Sequence, residues 1–182
     1  MAWFRPRPRP REFWRVPPFH GSPEVLRQHG IAAVTQQDGR AMMSVGWAIW
    51  QQAGLHAHDA EYLLRDGYQL WRGSPDCGLE DARLFCADLG QELSQRPAPP
   101  QISDPWASDA VDAARSAHHG LWAWAAAEEW TLSEELDDAD RRALGDRVLS
   151  VLTGIHPVYH TARSAILAST LAAERGLPDP RL

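Results

Sequence analysis

The sequence predicts an all-α protein of six to seven amphipathic helices, packed as a compact bundle or as two small lobes. Apolar residues recur at helical spacing through most of residues 40–175. Prolines and glycines fall between these periodic segments, where they separate one helix from the next. The 182 residues are 44% hydrophobic and 23% charged, near the averages for globular domains, so the chain is expected to fold.

Residues 1–22 are predicted to form an extended N-terminal arm that is basic and aromatic. Its repeated prolines each remove an amide donor and disfavour helical geometry in the preceding residue, which favours polyproline II. Residues 1–15 carry five Arg and one Glu, a charge of +4, and this leaves −10 on the rest of a chain whose net charge is −6. A basic arm therefore precedes an acidic body.

Residues 23–93 are predicted to form an N-terminal helical lobe. Ser22 and Pro23 are typical of an N-cap and a first helical position, and Gly30 is expected to end this first helix. The stretch that follows is ambiguous, and a β-hairpin at Asp38-Gly39 is one interpretation of it.

Three further helices complete this lobe. Met43, Trp47 and Trp50 lie on one face of a helix that starts beyond Arg40 and breaks at Gly54. Periodic apolar residues then predict a helix over residues 58–72 and another over residues 79–93, whose first turn carries acidic residues.

Residues 94–105 are predicted to be a Pro-rich linker to a C-terminal lobe of residues 106–182. The start and stop signals of this lobe predict four features. These are a helix from Asp104-Pro105 to Gly120 that continues after a kink, a capping box from Thr131 to Glu134, a helix from Ala139 to Leu152, and a last helix from Pro157 to Gly176.

A short near-repeat links two of the predicted helices. Gly46-Trp-Ala-Ile-Trp50 is echoed by Gly67-Tyr-Gln-Leu-Trp71, as expected if each helix packs a Trp against its neighbour. Residues 67–93 also resemble a short, uncharacterised bacterial helix-hairpin domain with a Tyr-x-Leu-Trp pattern, a Gly/Pro turn and an acidic helix start. This resemblance implies helices and carries no known activity.

The composition excludes several classes of protein. No apolar run reaches the roughly 20 residues of a membrane-spanning helix, and the Arg- and Pro-rich start does not resemble a signal peptide, so we expect a cytoplasmic protein with no membrane partner. Two cysteines are too few for a disulfide framework. The chain has no lysine, which is typical of a GC-rich bacterial genome.

The sequence lacks the common catalytic signatures, including phosphate loops, dinucleotide fingerprints and nucleophile elbows. The alternative to a non-catalytic protein is a metal-dependent helical-bundle enzyme, in which His58, His119 and His160 hold one divalent transition metal. That set is similar to metal-binding four-helix bundles of the DNA-damage-inducible type. Pro157, however, places His156 at a helix cap, so His156 and His160 need not share a face, and we expect no bound metal or other cofactor.

The arm is the strongest candidate for a binding element. In polyproline II, the side chains of Arg5, Arg7, Arg9 and Arg11 point in different directions, which suits a groove better than a flat surface. Arginine and Trp14 are residue types that anchor interfaces.

We therefore expect a binding or assembly subunit that docks a protein partner through this arm and through its Trp-rich helices. Nucleic acid is an alternative partner for residues 1–15, and the arm can instead lie over the acidic body of its own chain. If the arm only docks, deleting residues 1–15 is expected to leave the thermal midpoint almost unchanged.

Overall fold

The computed structural model describes residues 12–15, 19, 21–52, 57–96, 98, 108–155 and 161–182. Within these residues every regular element is helical, which confirms the predicted all-α class. In chain order the helices are α1 (Pro23–Thr35), α2 (Gly39–Gln51), α3 (Ala57–Arg72), α4 (Leu79–Gln95), α5 (Ser108–Thr131), a 3₁₀ turn (Leu132–Glu135), α6 (Asp138–Gly154) and α7 (Ala162–Glu174).

Helix α1 begins as predicted and ends later. The Ser22 side chain accepts a hydrogen bond from the amide of Val25, and Pro23 occupies the first turn. The predicted stop at Gly30 is wrong, because the helix continues to Thr35. A Cβ at Gly30 would lie 3.0 Å from the Leu63 side chain, so this glycine allows α1 to approach α3.

The segment around Asp38 and Gly39 is a helix start, so the hairpin interpretation is wrong. Asp38 has an extended backbone, and its side chain accepts from the amide of Ala41, as an N-cap does. Gly39 is the first residue of α2. Asp-Gly is common both in tight turns and at helix starts. Here the residues that follow have helical periodicity, which favours the helix start.

Helices α2 and α3 form an antiparallel pair whose backbones approach closely at glycines. A Cβ at Gly39 would lie 2.5 Å from the carbonyl oxygen of Gly67, and one at Gly46 would lie 3.0 Å from the Leu63 Cβ. Both glycines of the near-repeat, Gly46 and Gly67, therefore lie in this helix contact. The two repeat tryptophans Trp50 and Trp71 are both buried, as the packing interpretation expected.

The predicted helices over residues 58–72 and 79–93 are α3 and α4. Glu80 and Asp81 lie in the first turn of α4, where negative side chains interact favourably with the exposed backbone amides. Helix α5 runs without interruption through Gly120 to Thr131. Gly54, the Asp104-Pro105 pair and most of the predicted linker lie outside the described residues.

The signals at the ends of α6 and α7 differ from the predicted ones. Thr131 makes no capping bond, because its hydroxyl donates to the Ala127 carbonyl within α5, so the predicted capping box is wrong. Asp137 instead caps α6 through the amides of Ala139 and Asp140. Thr161 caps α7, which begins at Ala162 and not at Pro157.

Two hydrophobic clusters share helix α5. The first joins Trp14, α1 to α4 and the face of α5 that carries Leu121 and Trp124, and the second joins α6 and α7 to the Ala123 and Ala126 positions. The first cluster thus extends beyond residues 94–105 into α5. Helix α5 belongs to both cores, which places α4 on one side of it and α6 on the other.

Candidate partner-docking site

Residues 12–15 of the arm form a turn that is packed on the helical body. The amide of Arg15 donates to the Glu12 carbonyl at 3.0 Å. The Trp14 side chain is only 1% exposed and contacts Phe85 at 5.2 Å and Trp71 at 6.0 Å between ring centroids. Trp14 was predicted to contact a partner, and its burial instead makes it part of the protein core.

Asp88 on α4 binds the arm through both of its carboxylate oxygens. The indole Nε1 of Trp14 donates to Oδ2 at 3.1 Å, and the guanidinium of Arg15 lies 2.5 Å from Oδ1. Burial raises the pKa of Asp88, and the bonds from Trp14 and Arg15 oppose this shift by stabilising the carboxylate. Asp88 is therefore a buried carboxylate that binds two residues of the arm, Trp14 and Arg15.

Phe13 ties the same turn to α2 and α3. Its ring lies 5.2 Å from the Trp71 ring, and the guanidinium carbon of Arg40 lies 4.3 Å from the Phe13 centroid. The hydroxyl of Ser44 donates to the Phe13 carbonyl at 3.1 Å. We call residues 12–15 the anchor, because they attach the arm to three helices at once.

The four predicted docking arginines, Arg5, Arg7, Arg9 and Arg11, lie outside the described residues. The Trp-rich helices were also predicted to dock a partner, but most of the described helical tryptophans lie inside the core. Trp47, Trp50, Trp71 and Trp124 are buried, whereas Trp122 and Trp130 are half-buried. A partner would reach few of the helical tryptophans.

The two described histidines of the predicted metal site, His58 and His119, lie on different helices. His58 is exposed in the first turn of α3, with Nδ1 3.6 Å from the Glu61 carboxylate. His119 is half-buried on α5, and His160 lies outside the described residues. Where the chain is described, no three histidine, cysteine or acidic side chains come together as a metal site.

His118 was not among the predicted site residues, and its side chain joins α5 to the end of α4. Its Nε2–H donates to the carbonyls of Leu93 at 3.1 Å and Arg96 at 2.7 Å. Burial lowers the pKa of His118, and the two carbonyls oppose the shift. The neutral imidazole therefore satisfies carbonyls at the C-terminus of a helix.

A groove runs along α5 between α4 and α6. It consists of two adjoining cavities of about 460 and 450 Å³, and both are lined by Ala87, Glu129 and Arg147. Glu129 and Arg147 form an ion pair at their junction. The groove is thus large enough for side chains of another segment, and a salt bridge divides it in two.

The two halves of this groove differ in polarity. The first half is lined mainly by small and apolar residues, with Trp122, Val148 and Val151 among them. The second half is lined by apolar and small residues together with three carboxylates and two arginines, which are Glu80, Glu129, Asp140, Arg83 and Arg147. The lining side chains of the second half thus carry one more negative charge than positive charges, whereas the first half is mainly apolar.

No protein-family model, curated protein or solved structure matches this chain significantly. The function must therefore be argued from the site itself. Across the described helices, none is both long enough and apolar enough to cross a membrane.

Proposed function

We propose that this protein is a non-catalytic binding or assembly subunit that docks a protein partner through its Arg-rich N-terminal arm. The observation that carries the proposal is the attachment of the anchor to Asp88, where Trp14 and Arg15 bind the two carboxylate oxygens. The attachment of residues 12–15 fixes the point on the helical body to which the segment with the four arginines is joined. This lowers the entropy lost when a partner binds.

The partner surface that suits this arm is acidic. Residues 1–11 carry four Arg and no acidic residue, so their charge is +4. Arginine binds carboxylates through paired N–H donors, and alternating Arg and Pro present these donors on a stiff backbone. Affinity is then expected to depend strongly on salt, since exposed charges are screened over about 10 Å at 0.1 M salt.

A titration with two anionic probes tests this proposal. Full-length protein is labelled and titrated with a poly-glutamate peptide and, separately, with random-sequence single-stranded DNA. We expect salt-sensitive binding to poly-glutamate, with at least a tenfold loss when Arg5, Arg7, Arg9 and Arg11 are replaced by Gln. Binding to DNA with a steep salt dependence and none to the peptide would favour phosphate contacts instead. No binding of either probe at low salt would reject the docking role.

A matched variant controls for net charge. Replacing four arginines of the body, three exposed and one half-buried, by Gln changes the net charge of the protein by the same amount. The chosen positions are Arg27, Arg115, Arg142 and Arg181. If this variant loses as much affinity as the arm variant, the arm has no special part in binding.

A further inference from the structure

We propose that the groove between α4 and α6 binds the N-terminal arm of a second copy of this chain. The inference rests on the proposed function, because it names the partner surface on which the arm docks. Three properties of the groove support it: its charge, its length and the order of its apolar and charged halves.

The charge of the second half of the groove complements the arm. Of the six carboxylates in residues 129–140, those of Glu129 and Asp140 line the groove. On the opposite side, Glu80 lies in the first turn of α4. Two arginines also line this half: Arg83 pairs with Glu80, and Arg147 pairs with Glu129. Each pair has one well-exposed member, Glu80 or Arg147, so the pairs are screened by solvent and can be exchanged for pairs with incoming arginines.

The length of the groove fits the arm. From Glu80 to Ser94, which line its two ends on α4, a helix rises about 21 Å at 1.5 Å per residue. In polyproline II, a segment from residue 3 to residue 11 spans about 25 Å at 3.1 Å per residue. An extended arm can therefore occupy both halves together.

The order of residues in the arm follows the order of the two halves. Trp3 and Phe4 precede the arginines, so aromatic side chains can enter the apolar half near Trp122 while Arg5 to Arg11 follow the carboxylates. The small residue Ala87 lines both halves and leaves room for a backbone to pass.

The position of the anchor favours the groove of a second copy over the groove of the same chain. Trp14 and Phe13 contact Phe85 and Trp71, which lie where α4 faces α3. The groove lies where α4 faces α6. The arm therefore starts on the other side of α4 from its own groove. Two copies that exchange arms would form a closed pair with two identical contacts.

A complementation experiment with full-length proteins tests the exchange. The arm variant replaces Arg5, Arg7, Arg9 and Arg11 by Gln and keeps its groove. The groove variant carries Glu80→Arg and Asp140→Arg and keeps its arm. In sedimentation velocity at low salt, we expect the wild type to dimerise and each variant alone to remain monomeric. An equimolar mixture of the two is expected to form a heterodimer through its one intact arm–groove contact, at higher protein concentration than the wild type requires.

The control variant carries Glu24→Arg and Asp112→Arg, which make the same charge change on exposed positions away from the groove. Like Glu80, Glu24 lies in the first turn of its helix. This variant is expected to dimerise as the wild type does. Circular dichroism confirms that each variant is folded before it is compared.

Three outcomes would overturn the inference. These are a monomeric wild type, a mixture that stays monomeric, and a control variant that loses the dimer as completely as the groove variant. A monomeric wild type that still binds poly-glutamate through its arm would contradict the second copy as partner and leave the docking role intact. Loss of both activities would reject both proposals.

Discussion

The indole of Trp14 donates a hydrogen bond to the carboxylate of Asp88 at 3.1 Å, across 74 positions of the sequence. This contact joins the arm to α4 inside the protein. It divides the N-terminal segment into residues 1–11, which carry the proposed docking arginines, and residues 12–15, which form the anchor.

The first prediction concerns the contribution of Trp14 to stability. Trp14→Ala is expected to lower the free energy of unfolding by about 3–5 kcal/mol, because it removes a fully buried indole and leaves Asp88 without one donor. Urea unfolding measures the change. Ile166→Ala is the control, since Ile166 is 61% exposed and its truncation should cost less than about 0.5 kcal/mol. Equal effects of the two substitutions would show that Trp14 is not a core residue.

A second prediction compares two helical glycines. Gly39→Ala places a methyl group 2.5 Å from the Gly67 carbonyl oxygen and 2.7 Å from the Trp71 amide nitrogen. We expect it to destabilise the protein by about 1–3 kcal/mol, because α2 and α3 must separate. Gly90→Ala meets nothing within 4 Å and should stabilise α4 by about 0.5–1 kcal/mol. Thermal unfolding of both variants gives the signs, and a stabilising Gly39→Ala would contradict the close contact.

The pH dependence of stability provides a third prediction. Burial holds the pKa of His118 below its ordinary value of 6.5. Below pH 6.5 the unfolded chain therefore binds a proton that the folded chain does not, so stability due to this group is lost as the pH falls. As the pH falls, we expect the free energy of unfolding of the wild type to decrease more steeply than that of His118→Gln. The difference in slope is expected to be at most about 1.4 kcal/mol per pH unit. Parallel curves between pH 5 and 7 would exclude this role of His118.

The two cysteines are expected to differ in reactivity. Cys86 is completely buried and Cys77 is half-buried, and burial raises the pKa of both thiols. A thiol reagent at about pH 8.5 should therefore modify Cys77 alone in the native protein, and both residues after denaturation. Cys77→Ser is expected to abolish the native reaction. Modification of native Cys77→Ser at an appreciable rate would mean that the core around Cys86 opens readily.

Helical periodicity was sufficient to predict the fold class, because each helix buries one apolar face that shows in the spacing of residues. It failed at Gly30 and Gly39, where glycine was interpreted as a helix stop or a turn. Both glycines instead permit a neighbouring helix to approach. Such contacts are made with residues that are far away in the sequence, so local helix propensity cannot predict them.

The burial of Trp14 could not be predicted from the sequence. The composition of the arm suggested a binding element. Because prolines and arginines surround Trp14 in the sequence, this residue was expected to be exposed, whereas it is buried. A signal was present in α4, where Asp88 lies among the core positions Phe85 and Leu89 and so requires a polar partner. Its identity could not be deduced, because Trp14 approaches α4 only in the folded structure.

The burial of Trp14 changes the expected result of deleting the arm. Removal of residues 1–15 also removes the anchor and is expected to destabilise the body, in contrast to the sequence-based expectation of an unchanged midpoint. Removal of residues 1–11 alone leaves the anchor in place.

Thermal midpoints of two truncated chains test most directly the claim that residues 1–11 dock and residues 12–15 anchor. The midpoints are measured in 0.5 M salt, where arm-dependent association is screened. We predict that removal of residues 1–11 changes the midpoint by less than about 2 °C, and that removal of residues 1–15 lowers it by roughly 6–20 °C. Equal midpoints for the two truncated chains would contradict the account.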